Sequence, residues 1–245
     1  LQGALVPQLA WVAGRIALTV AVIAGLAVYA IGPIFFVTDT AKRRAHLSSL
    51  AAAEGLHPAR LSDSAKRQRE TVVFLARTIG ERAAHQPAEQ GRARDYLAAR
   101  FRELGLSVQV QAYESKWMGP FKNGTLFHNV EAVLSGRLRD EEGVIVLGAH
   151  YDTASGTTGA DDNASGVAVL LETARLLKTA KPKRSIRFVA FGTEEPPAFG
   201  TQNMGSFQYA RRLKDLKIPV HLMISLEMLG YFNPRPGAQL YPPFM

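Results

Sequence analysis

The chain has 245 residues, 47% of them hydrophobic, enough for one large α/β domain and a short appendage. It contains no cysteine, which excludes disulfides and any thiolate nucleophile or metal ligand. The formal net charge is +8, with much of the excess in Lys42–Arg44 and Lys66–Arg69; no nucleic-acid motif or interleaved aromatic accompanies these runs, so no nucleic-acid partner is expected.

After a tail of residues 1–15, residues 16–37 read "IALTVAVIAGLAVYAIGPIFFV", 22 residues without a charge. As a helix this stretch is about 33 Å long, enough for a bilayer core, and a single membrane span is predicted. A signal peptide is the rival, though its apolar region is shorter, about 7–15 residues. Lys42, Arg43 and Arg44 follow the span and only Arg15 precedes it, so the positive-inside rule leaves the rest of the chain in the cytoplasm. The basic runs fit either attraction to anionic lipid or a solvated face. Residues 38–69 read as a polar linker that becomes helical, and the main domain is expected over residues 70–245.

Within that domain "ETVVFLARTIG" has helical spacing. "EQGRARDYLAARFRELG" is an amphipathic helix with Tyr96, Leu97, Phe101 and Leu104 on one face and Gly105 as its stop. Strands follow: "LSVQVQAY" alternates at period two, "HNVEAVLSG" comes next, and "GVIVLGA" is a continuous apolar run typical of a strand buried on both faces. "ASGVAVLLETARLLK" is a helix with Val167, Leu170, Leu171, Ala174 and Leu177 along one stripe. "SIRFVAFG" is a buried strand, "MGSFQYARRLK" a helix and "VHLMISLEM" a strand. Strands alternating with helices predict a three-layer α/β/α sandwich around a mostly parallel mixed sheet.

Ligands of open α/β sheets bind beyond the carboxyl ends of strands, and acidic residues collect at three such ends. His150 and Asp152 follow "GVIVLGA", Glu194 and Glu195 follow "SIRFVAFG", and Glu227 closes "VHLMISLE". Residues two apart in an extended chain face one side, so Asp152 can reach the His150 imidazole and leave its other nitrogen for a metal; taken alone, His-x-Asp is a weak signal that a surface turn explains more often. Asp161-Asp162-Asn163 precede a helix and serve either as N-caps or as a carboxylate shared between two cations. Glu194-Glu195 are either a solvated loop or a metal ligand beside a general base.

Together the four pieces His150-Tyr151-Asp152, Gly159–Gly166, Glu194-Glu195 and Leu226–Tyr231 resemble the M28 family of zinc peptidases, with "EEPPAFGTQNMGS" and "PGAQLYPP" resembling a subgroup of it. The resemblance covers roughly residues 70–245 and implies a zinc-exopeptidase-like fold that removes N-terminal amino acids from peptide substrates with two Zn2+ ions. It implies that His150 and Glu227 bind the first zinc, that Asp162 bridges both, and that Glu195 binds the second. It further implies Glu194 as general base, Asp152 as the group that orients His150, and a cis Asp162–Asn163 peptide. Family members act mostly outside the cytoplasm, tethered or secreted, which opposes the charge rule and favours an extracytoplasmic, membrane-anchored domain.

The family pattern asks for one more histidine far downstream. Of the six present, His46 and His57 lie in the linker, His85 precedes the sheet and His128 starts a strand upstream of the motifs. His221 lies in the same strand as Glu227 and about 20 Å from it, at the wrong end. The second zinc position is therefore one ligand short. With Leu at position 1 and an abrupt "YPPFM" ending, the expectation is a truncated chain, with apolar surface exposed where further strands belong. Two other functions compete with a membrane-anchored aminopeptidase: a single-zinc glutaminyl cyclase-like enzyme and a non-catalytic binding module of the same fold.

Overall fold

A computed structural model describes residues 58–114 and 124–230. The predicted membrane span at 16–37, the tail before it and the linker up to residue 57 lie outside these residues. No helix among the described residues is long and apolar enough to cross a membrane.

The folded unit begins with helix α1 (Pro58–Val73), which widens into a π-helical turn over Phe74–Ile79. Residues 58–69, expected as linker, thus belong to the domain's first helix. They are tied down by Arg67, whose Nε and NH2 donate to the two carboxylate oxygens of Glu172 at 3.1 and 2.9 Å. Helix α2 (Pro87–Glu103) starts with proline in its first turn, where no amide is needed. It buries Leu97 and Phe101 completely and ends just before Gly105.

Strands β1 (Ser107–Glu114) and β2 (Leu126–Leu134) pair antiparallel. A 3-10 turn at Asp140–Glu142 leads into β3 (Val144–His150), and a kinked segment, Ala160–Ser165, feeds helix α3 (Gly166–Leu177). Strand β4 (Ile186–Phe191), helix α4 (Gly205–Asp215) and strand β5 (Val220–Ser225) follow. The strand order is β1-β2-β4-β3-β5. β2 runs antiparallel to β4, whereas β3 is parallel to both β4 and β5. The sheet is therefore mixed, with parallel and antiparallel pairings in equal number among the described residues, and not mostly parallel as expected. The cause is the course of β2, which runs antiparallel to both of its neighbours, β1 and β4.

The period-two alternation of the central strands sorts their side chains between two cores. Leu147 and Ala149 of β3 and Phe188 and Ala190 of β4 face α1, α2 and α3, where Leu97, Phe101, Val167 and Leu170 are fully buried. Val144 and Val146 of β3 and Val189 and Phe191 of β4 face Tyr209 and Leu213 of α4. Each buried Val, Leu or Phe among these contributes about 1.5–3 kcal/mol of burial. The outcome is the expected three-layer α/β/α arrangement. At the sheet edge, Val220, Leu222, Met223 and Ile224 of β5 are exposed. Because β3, β4 and β5 point the same way, His150, the turn after Phe191 and the turn after Ser225 emerge at one rim.

Candidate metal centre

His150 closes β3, and the chain stays extended through Asp152, so both side chains face the same space. Asp152 Oδ1 lies 3.2 Å from His150 Nδ1. Both carboxylate oxygens of Asp152 also accept main-chain bonds: Glu194 N donates to Oδ1 and Oδ2 at 3.0 and 2.9 Å, and Glu195 N donates to Oδ2 at 3.1 Å. Asp152 is 1% exposed and His150 3%. An acceptor-only carboxylate in that position holds the imidazole proton on Nδ1. Nε2 then turns its lone pair toward the rim, and the same carboxylate fixes the Glu194–Glu195 turn.

Asp162 arrives from the kinked segment between β3 and α3. Gly159, at φ +57°, opens that segment; a Cβ there would strike Asp162 O and Thr153 Cγ2, so only glycine allows the loop to close this tightly. The Asp162–Asn163 peptide is cis. Asn163 is buried and joins this segment to the end of β5: its Nδ2 donates to Leu226 O at 2.8 Å and to Glu227 Oε2 at 3.1 Å, and its Oδ1 accepts Gly166 N and Met228 N at 3.0 and 3.3 Å. Asp161 points elsewhere, accepting Gly230 N at 2.8 Å. Asp161 thus holds the loop after β5, while Asp162 faces the histidine.

Three carboxylates converge on His150 Nε2. Asp162 Oδ1 is 3.0 Å from it, Glu227 Oε1 3.4 Å and Glu194 Oε2 3.9 Å. Donor atoms of His150, Asp162 and Glu227 all lie within 4.8 Å of one another, and so do those of His150, Glu194 and Glu195. Asp162 Oδ1 is shut off from solvent and receives no hydrogen bond. An imidazole lone pair facing an orphaned carboxylate oxygen and a second carboxylate calls for a positive charge between them, and this oxygen–imidazole donor set suits a divalent cation such as zinc. The titration behaviour expresses the same demand. Burial alone lowers the His150 pKa, but Asp152 and Glu227 outweigh it and push it up to about 11. Burial raises both glutamates, and neighbouring carboxylates add to the effect: Asp162, Asp152 and Glu194 help bring Glu195 to about 7, and Glu194 rises above its ordinary value.

All six residues singled out from the sequence, His150, Asp152, Asp162, Glu194, Glu195 and Glu227, stand at this rim. His221 lies at the opposite end, beside Gly143 where β3 begins. His128, set aside because its strand lies upstream of the motifs in sequence, is at the same rim, because β2 runs antiparallel to β4; its carbonyl accepts the Tyr151 hydroxyl at 2.9 Å, although its imidazole joins neither donor group. Sequence reasoning missed Arg82 and Asn129. Arg82, 0% exposed, binds main-chain carbonyls of the motif segments. Asn129 holds the turn before Glu194 by accepting Gly192 N at 3.0 Å and donating to Gly205 O at 2.9 Å. Gly192 lies so close to His128 O that a Cβ could not fit.

Residues 129–242 match the sequence profile of Peptidase family M28. The chain is similar to the uncharacterized protein YfbL of Escherichia coli (strain K12), at 39% identity over 71% of this chain and 52% of that protein. It is also similar to a probable zinc metalloprotease of Pyrenophora tritici-repentis, at 33% identity over 60% of this chain and 36% of that protein. The chain therefore spans about half the length of the first relative and about a third of the second. Among solved structures it resembles BSAP, a zinc aminopeptidase from Bacillus subtilis, with a TM-score of 0.58 and 18% identity over 68% of this chain and 69% of that one. It also resembles the Porphyromonas gingivalis glutaminyl cyclase, with a TM-score of 0.54 and 31% identity over 68% of this chain and 58% of that one.

Proposed function

The chain belongs to peptidase family M28 through residues 129–242, and from that premise we propose that it is the catalytic part of a zinc aminopeptidase that hydrolyses the first peptide bond of its substrates. The carrying observation is the convergence of His150 Nε2, the orphaned Asp162 Oδ1 and Glu227 Oε1 on one point. His150, Asp162 and Glu227 would hold one zinc ion, and Asp162 and Glu195 would serve a second. Bound zinc supplies Lewis-acid polarisation of the scissile carbonyl and lowers the pKa of the attacking water.

The chain's own residues do the rest. Glu194 reaches within 3.9 Å of His150 Nε2 without sharing the tight contacts of Asp162 and Glu227. Its raised pKa makes it a better proton acceptor than an ordinary glutamate while keeping a carboxylic acid that can release the proton again. It takes a proton from the water and delivers it to the leaving amine. Asp152 holds the imidazole tautomer and, through the amides of Glu194 and Glu195, the place of the base relative to His150. Asn163 keeps Glu227 in place by donating to Oε2, which leaves Oε1 toward His150.

The test is Glu194→Gln, assayed for zinc content and for cleavage of aminoacyl-p-nitroanilides. The variant is expected to keep its metal and lose hydrolysis by at least about 100-fold. Loss of metal would show that Glu194 is a ligand and that the roles of Glu194 and Glu195 are exchanged. The likeness to glutaminyl cyclase, 31% identical, supports a second reading with a single zinc. One bound zinc per chain, together with release of ammonia from N-terminal glutamine peptides, would favour it; two zinc ions and release of free amino acids favour the peptidase. We also propose that residues 16–37 tether the domain to a membrane with the catalytic rim outside the cytoplasm. Detergent-dependent extraction and protease accessibility in intact cells test that arrangement, and release of the intact chain by salt alone argues against it.

A further inference from the structure

Arg82 is a buried cation that the mechanism above does not use. Its side chain is 0% exposed and forms an ion pair with no carboxylate among the described residues. Its guanidinium instead spends its donors on main-chain carbonyls. Nε donates to Tyr151 O at 2.7 Å, NH1 donates to Leu75 O, Gly80 O and Thr158 O at 2.8, 2.6 and 3.0 Å, and NH2 donates to Gly159 O at 3.2 Å. Its own amide donates to Thr153 Oγ1 at 3.0 Å, and its carbonyl accepts Gln90 Nε2 at 3.0 Å. Burial pulls the guanidinium down to about 10, with Asp152 opposing, so it stays charged at neutral pH.

The placement of those carbonyls has a consequence. Tyr151 O lies between His150 and Asp152. Thr158 O and Gly159 O sit at the entry of the segment that carries Asp162, and Gly159 O also accepts Ala164 N at 3.1 Å, closing the loop around Asp162 and Asn163. A Cβ at Gly159 would come within 2.9 Å of Arg82 NH2, so the glycine is also what lets the guanidinium reach this turn. The planar fork of guanidinium can hold carbonyls from several directions at once, whereas a lysine ammonium cannot. We propose that Arg82 is a positioning residue that clamps the end of β3 to the Asp162 loop, and so sets the distance between His150 Nε2 and Asp162 Oδ1. It touches neither substrate nor metal.

The proposal rests on the reading that His150, Asp162 and Glu227 hold the cation, and the experiment separates the two. Hydrogen exchange at the Ala164 amide is measured in metal-free protein, and zinc affinity by competition with a chromogenic chelator. Wild type, Arg82→Gln, Arg82→Lys and Leu97→Ala are compared; Leu97 is a fully buried apolar core residue whose side chain can bond none of the carbonyls that Arg82 holds, and it controls for general destabilisation. Arg82→Gln is expected to speed Ala164 exchange at least tenfold beyond Leu97→Ala and to weaken zinc at least tenfold. Arg82→Lys, which restores charge without the fork, is expected to fall between Gln and wild type in both. Should Arg82→Gln not fold, Arg82→Lys decides. Exchange equal to wild type in the folded Arg82 variants, or changes matching those of Leu97→Ala, overturns the proposal. Absence of zinc binding in the wild type would overturn the metal reading, while the exchange measurement would still decide the clamp.

Discussion

Asp152→Asn isolates what holds the cluster together, because asparagine keeps the shape and offers one acceptor oxygen where the carboxylate offers two. Both oxygen positions are in use. Oδ1 faces His150 Nδ1 at 3.2 Å and Glu194 N at 3.0 Å; Oδ2 accepts Glu194 N at 2.9 Å and Glu195 N at 3.1 Å. With the amide nitrogen in the Oδ2 position, the Glu195 N–H loses its acceptor and meets another donor. With it in the Oδ1 position, His150 must bare Nδ1 and carry its proton on Nε2, the atom that faces Asp162 and Glu227. The first arrangement leaves a buried donor unpaired, at about 1–3 kcal/mol. The second removes the lone pair that a cation requires. A loss of about 1–3 kcal/mol corresponds to about 5–150-fold in affinity, in line with the 10–100-fold usual for a residue that orients a metal-bound histidine. The assay is zinc competition with a chromogenic chelator, with urea denaturation run alongside. The expected result is a 10–100-fold weaker zinc site in a folded protein destabilised by no more than about 3 kcal/mol. Zinc affinity within twofold of wild type and an unchanged denaturation midpoint would refute the orienting role.

Other parts of the structure make separate predictions. Glu172 is held by bidentate pairs from Arg67 and Arg175; these outweigh burial and hold its pKa at about 2 against an ordinary 4.5. A depressed carboxyl stabilises fully above its unfolded pKa and loses that contribution as pH falls through about 2. Since both arginines are partly exposed, Glu172→Gln should cost about 1–2 kcal/mol near pH 7, and urea denaturation of variant and wild type should converge as pH approaches 2. Gly192→Ala places a methyl against the His128 carbonyl and should destabilise by about 3 kcal/mol while shifting the Glu194–Glu195 turn, seen as a lower melting temperature together with weakened zinc binding. Stripping metal with a chelator should lower thermal stability by about 2.7 kcal/mol relative to protein with zinc at 100 times its Kd, and added zinc should restore it; a melting curve indifferent to zinc would argue against an ordered metal site.

The sequence carried much of this site because two patterns are local. A buried strand reads as a largely apolar run, unbroken in Val144–Ala149 and interrupted only by Arg187 in Ile186–Phe191, and whatever follows such a run lands on a rim. That is enough to bring His150, Glu194 and Glu227 to one side before any coordinate is known, and His-x-Asp spacing does the same for Asp152. What local pattern does not carry is direction and depth. The residue pattern along Leu126–Leu134 reads identically whether β2 runs up or down, so its antiparallel course, which brings His128 back to the rim, was not legible. Nor does periodicity distinguish a charge that will be solvated from one that will be enclosed. Glu131 sits in that same strand at 1% exposure, accepting bonds from Arg187, Tyr209 and Arg212, donors at least 56 residues away in sequence. Arg82 stands in "IGERAAHQ", where nothing sets it apart from the arginines on the surface. Its burial follows from where the chain after Ile79 meets the end of β3, and that meeting is made by long-range packing. The residues that converge on His150 Nε2 were therefore readable, because chemistry selects their types and strand ends select their places. The residues that hold them apart at the right distance were not, because their only signature is a set of bonds to main-chain oxygens that any sequence possesses.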